Sequence, residues 1–75
     1  MDHVRRLTAI IEREDDGYVS LCPEVDVACQ GDSIEEARAN LIEALTLFFE
    51  TASPAEIERR KHDEILITQV EARVG

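Results

Sequence analysis

The apolar residues of this chain change period at Gly31-Asp32-Ser33, and that switch limits the folds open to it more than any other feature. Upstream, β-forming residues alternate with polar ones. In residues 6–14, Leu7, Ala9 and Ile11 share one face and Thr8, Ile10 and Glu12 the other, the pattern of a half-buried strand. Glu14-Asp15-Asp16-Gly17 follows, and its Asp-Gly pair supplies the positive backbone angles of a tight hairpin. A second strand is predicted over residues 18–22. Pro23 cannot donate to a ladder and ends it, after which Val25, Val27 and Cys29 alternate with Asp26, Ala28 and Gln30 in a third strand over residues 25–30. Downstream of the switch, Ile34, Ala37, Leu41, Ala44, Leu45, Phe48 and Ala52 recur at spacings of three and four, which places them on one stripe of a helix. Ser33-Ile34-Glu35-Glu36 fits a capping box, and Asp32, Glu35 and Glu36 oppose the positive end of the helix dipole. A helix of about 18 residues spans roughly 27 Å, enough to lie across a small sheet. Leu47 and Phe49 fall off the stripe, so something else must cover the far end of its apolar face.

A second helix start is written in Ser53-Pro54-Ala55-Glu56, with Arg59, Arg60 and Lys61 crowding the last turn, where cations are favoured. Ile65-Leu66-Ile67-Thr68-Gln69-Val70 then reads as a final strand. Seventy-five residues make one domain, 1–75. Its expected class is α+β, a two-layer β-β-β-α-β sheet with one long helix on one face and a right-handed crossover to the last strand. The other face is left bare. Ile10, Val19, Leu21, Ala28 and either Leu66 or Ile67 lie at alternate positions that cannot all point at the helix, so this face is expected to be an oligomer interface. A domain this small buries only roughly 60% of its unfolded surface, which also favours association, as a dimer or tetramer.

Seventeen acids against eight bases give a net charge of −9, which repels phosphate backbones and anionic lipid. Neither direct nucleic-acid binding nor a membrane surface is expected. No apolar run approaches the roughly 20 residues of a bilayer span, and Met1-Asp2-His3 precedes no hydrophobic signal region. Cys22 and Cys29 form no CxxC pair, and with no export signal both are expected as free thiols in the cytoplasm. Neither metal nor other cofactor is implied, because the two Cys and two His lack the close ligand pairs that a zinc site uses. His3 and His62 stand at opposite ends of the chain with no carboxylate arrangement suggesting a triad. A two-metal nuclease needs acids inside the central strands, yet Thr8-Ala9-Ile10 and Leu66-Ile67-Thr68 offer none. The expectation is a protein that is not an enzyme. Its acids are unevenly placed: Glu12, Glu14, Asp15, Asp16, Glu24, Asp26 and Asp32 face Arg13 alone, so residues 12–32 carry −6 of the −9. This stretch is either a solvated rim or a docking surface for a cationic partner.

The ordered series Asp16-Gly17-Tyr18, Cys22-Pro23-Glu24, Gln30-Gly31-Asp32-Ser33 and Glu35-Glu36-Ala37 resembles the N-terminal domain of the HicB family, the antitoxins of HicA–HicB toxin–antitoxin pairs. The likeness covers the first strand through the long helix. It implies a partial ribonuclease-H-like fold without nuclease activity that binds and occludes a small basic RNA-cleaving toxin of the HicA type. The partner-binding residues on this view are Asp15, Asp16, Tyr18, Glu24, Asp26 and Asp32. Cys29 sits where a small hydroxyl residue is expected and receives no role. Family antitoxins usually carry a C-terminal DNA-binding region; this sequence ends at Gly75, so a short standalone form is expected and operator binding is not carried over. The alternative is an orphan structural or small-ligand-binding homo-oligomer with the same fold and no toxin partner.

Overall fold

A computed structural model describes residues 5–62 and 64–75, so Met1-Asp2-His3 lies outside the described residues. Three antiparallel strands, β1 (Ile10–Glu14), β2 (Gly17–Cys22) and β3 (Val27–Gly31), form a sheet in the order β1-β2-β3, followed by α1 (Ile34–Thr51) and α2 (Pro54–Arg60). The class is α+β, with a three-stranded antiparallel sheet ahead of a long helix. Ser33 caps α1 by accepting from the Glu36 amide at 3.0 Å, and the Glu36 carboxylate reaches back to the Asp32 amide at 3.2 Å. The helix therefore starts where the capping pattern puts it.

Leu41 and Leu45 pack with Cys22 and Val25 in one buried apolar cluster, and Ala37 is buried one turn earlier on the same helix face. Leu7, Val27, Cys29, Phe48 and Phe49 surround it, half-buried. The helix also touches the sheet backbone closely. Buried Ser20 donates to the Ala37 carbonyl at 2.9 Å, and the Asn40 side chain donates to the Gln30 carbonyl at 2.8 Å. A Cβ on Gly31 would stand 2.5 Å from the Ala37 nitrogen, so only glycine lets β3 end this near the first turn of α1.

The strand limits differ from the alternation pattern for identifiable reasons. β1 begins at Ile10, opposite Leu21, because the Thr8 amide leaves the ladder and bonds the Glu24 carboxylate at 3.0 Å. In the hairpin the left-handed residue is Asp15, at φ 55°, and not glycine. Gly17 instead pairs with Glu14, and a Cβ there would come within 2.9 Å of the Gly31 carbonyl oxygen. β3 starts at Val27 rather than 25, since Asp26 adopts φ 56° and turns Val25 inward to 2% exposure.

The expected fourth strand is absent from this chain's sheet. Residues 64–75 belong to no strand, and no hydrogen bond among the described residues ties them to the sheet. Leu66, Val70 and Val74 are 84%, 85% and 86% exposed. Propensity and alternation describe side chains, whereas a strand exists only where a neighbouring edge takes up its amides and carbonyls.

Candidate interaction surfaces

The register settles which residues share the sheet face turned away from α1. Leu21 stands between Ile10 and Ala28, and Val19 between Glu12 and Gln30, while Ser20 and Cys22 point at the helix. Ile10, Val19 and Leu21 are therefore contiguous on the bare face. It is a narrow apolar patch, with Ile10 36% and Leu21 38% exposed and a charged or polar residue at each end of the neighbouring row.

Apart from Glu12, which lies on the bare sheet face, the acids of residues 12–32 divide into two groups at opposite ends of the sheet. At the β1–β2 hairpin end, Glu14, Asp15, Asp16, Asp32 and Glu36 surround an open cleft of about 430 Å³ together with Tyr18. Among the described residues no Lys, Arg or His lines it. Two connections that follow each other on the same side of a sheet, the hairpin and the β3–α1 link, bring Asp15 and Asp16 beside Asp32, because Tyr18 pairs with Gly31. The field at this end is negative and exposed, the form that attracts cations over a distance.

Glu24 and Asp26 do not belong to that cleft. They sit in the β2–β3 turn, beyond the Cys22–Val27 pair, at the other end of the strands. Glu24 accepts from the Thr8 amide and, at 2.6 Å, from the Thr8 hydroxyl, while the Cys22 thiol donates to it at 3.3 Å. Burial pushes its carboxyl up, but the hydrogen bonds it accepts from Thr8, its own amide and the Cys22 thiol together outweigh this and leave it below the ordinary glutamate value. Burial, reinforced by the bond to Glu24, pushes the Cys22 thiol up, so it is a core side chain and a poor nucleophile.

The C-terminal end of α2 is buckled to the same turn. Arg60 donates to the carbonyls of Val25 and Asp26 at 3.1 and 2.8 Å, with its guanidinium 5.2 Å from the Phe48 ring centre. The His62 amide donates to the Glu24 carbonyl at 2.8 Å, and His62 Nε2 lies 2.8 Å from Asp26 Oδ2. His62 thus has the carboxylate partner that sequence spacing did not reveal. The side chains of this pair are 50% and 64% exposed, so it is screened and contributes little energy. The turn residues Pro23-Glu24-Val25-Asp26 were the available signal: a left-handed aspartate beside a buried valine leaves carbonyls that a long cationic side chain can reach.

A third surface is a groove of about 710 Å³ between residues 5–9 and the flank of α1. Leu7, Ala9, Ile42, Leu45 and Phe49 make it apolar, and Arg5 lies over the Phe49 ring at 4.7 Å. This partly covers the off-stripe Phe49, whereas Leu47 remains 58% exposed.

Among the described residues no cluster of three or more His, Cys, Asp and Glu side chains is arranged to hold a metal ion. No helix among them is long and apolar enough to cross a membrane.

The chain is similar to the UPF0150 protein ssl0738 of Synechocystis sp., with 54% identity over 46 residues. The matched stretch covers 59% of this chain and 64% of that protein. No protein-family model matches the sequence, and no solved structure matches it.

Proposed function

We propose that this protein is a non-enzymatic, HicB-like antitoxin-type module that binds a small basic RNA-cleaving toxin and occludes its RNA-binding surface. The observation that carries this reading is the hairpin-end cleft, lined by five carboxylates and, among the described residues, by no cation. An RNA-cleaving toxin must present positive charge to hold phosphates, and a cluster of carboxylates can occupy the same surface. Asp15, Asp16, Tyr18 and Asp32 are the contact residues on this reading. Glu24 and Asp26 act indirectly, by fixing the far end of the sheet.

Titrating the protein into an RNA-cleavage assay of a purified HicA-type toxin tests the proposal. Cleavage should fall in proportion to added protein until the two are stoichiometric, and Asp15→Lys/Asp16→Lys should lose that effect. Undiminished cleavage at saturating excess would refute it. It would leave the alternative, a homo-oligomer without a toxin, which the apolar row Ile10, Leu21 and Ala28 favours.

A further inference from the structure

The segment after His62 and the groove beside residues 5–9 are complementary surfaces that the single chain leaves apart. Residues 64–75 form an arm whose Leu66, Ile67, Val70 and Val74 are 52–86% exposed. The chain has a radius of gyration of 14.5 Å and a long axis of 52 Å, against the about 11 Å radius expected of a compact chain of this length. The arm projects. Meanwhile β1 is, among the described residues, an edge strand with a free ladder side, and α1 lies mainly over β3 and β2, leaving its Ile42 and Phe49 flank open above the groove. A fourth strand laid beside residues 5–9 and continuing along β1 would fill that space and satisfy that edge.

We propose that the occupant is the arm of a second copy of this chain, and that two copies exchange arms reciprocally. Three observations choose this occupant. The arm's sequence Ile65-Leu66-Ile67-Thr68-Gln69-Val70 is rich in β-branched residues and apolar on both faces, as a strand between a helix flank and an exposed sheet face must be. The charges are opposite: the arm carries Glu64, Glu71 and Arg73, a net −1, and the groove Arg5, Arg38 and Glu50, a net +1. The size is adequate as well. Each copy contributes a 12-residue arm and a groove lined by 12 residues, 24 in all, within the roughly 20–30 residues a side of a standard stable interface. Because each copy gives and receives the same element, the assembly closes as a two-fold dimer. This inference concerns a surface distinct from the acidic cleft and does not rest on the toxin reading.

Light scattering after size exclusion of the full chain at micromolar concentration tests it. The parent should elute at twice 8.5 kDa. Leu66→Glu/Val70→Glu, which alters only exposed side chains, should shift to the monomer mass, and so should Ile42→Glu in the groove, 48% exposed. Circular dichroism should show parent-like helix in both. Mixing the two variants rebuilds one of the two exchanges, the intact arm of one in the intact groove of the other, and should return a weaker dimer than the parent's. Leu21→Glu, on the bare sheet face, should leave the dimer in place. A monomeric parent, including one whose arm amides are protected from exchange by folding back on their own sheet, would overturn the proposal. So would a dimer that survives both the arm and the groove variants.

Discussion

Replacing Glu24 with alanine removes the acceptor for the Thr8 amide, the Thr8 hydroxyl and the Cys22 thiol together. Thr8 is half-buried, so its amide is only partly free to turn to water. Hydrogen bonds to a charged group contribute about 1.5–3 kcal/mol, and partial exposure keeps the sum for this site near 2–3 kcal/mol at neutral pH. The sign of the pH dependence follows from the lowered carboxyl value in the folded protein. A carboxylate whose folded value lies below its unfolded one contributes fully above the unfolded value, near 4.3, and the contribution disappears as pH falls through the folded value. Urea unfolding of parent and Glu24→Ala, at one fixed protein concentration, should therefore give midpoints about 2 M apart at pH 7, for a slope near 1 kcal/mol/M. The gap should narrow steadily below about pH 4. Equal midpoints at pH 7, or a gap unchanged under acid, would refute the assignment of Glu24 to the sheet rather than to a partner.

Gly31→Ala places a methyl group 2.5 Å from the Ala37 nitrogen and must push α1 off β3; a loss of about 1–3 kcal/mol in chemical denaturation is expected. Toward a disulfide reagent, half-exposed Cys29 should react quickly and buried Cys22 only at the rate of unfolding. The raised Cys22 value means that its contribution to stability is present below the unfolded thiol value near 8.5 and is lost as pH rises through the folded one, which Cys22→Ala should flatten in an alkaline unfolding series.

What the sequence made legible was local. The Ser33 cap, the stripe of Ala37, Leu41 and Leu45, and the outward alternation of Ile10, Val19 and Leu21 depend on neighbours within a few positions, and the structure places each as the spacing requires. Contacts that join distant stretches were not legible. Glu24 looked like one more surface acid because its donor Thr8 is sixteen positions away, and Arg60 looked like a dipole-compensating cation although it holds the carbonyl of Val25, thirty-five positions back. The hairpin shows a subtler failure. Asp-Gly located the turn, but Asp15 takes the left-handed angle and Gly17 answers to the packing of the Gly31 carbonyl instead. Residues 65–70 have the composition of a strand and no edge of their own chain beside them, a fact of tertiary placement that no window of sequence contains.

The central claim, that the hairpin-end acids steer a basic toxin into place, is tested most directly by its association rate across a salt series. Surface plasmon resonance with a HicA-type toxin would compare the parent with Asp15→Lys/Asp16→Lys. Raising ionic strength from 0.05 to 0.5 M shortens the Debye length from about 14 to about 4 Å. If the cleft of Asp15, Asp16 and Asp32 draws the toxin in, the parent's association rate falls steeply over that range, while dissociation changes little. The reversed variant should associate slowly at every salt concentration. Association rates that respond neither to salt nor to charge reversal would contradict the account.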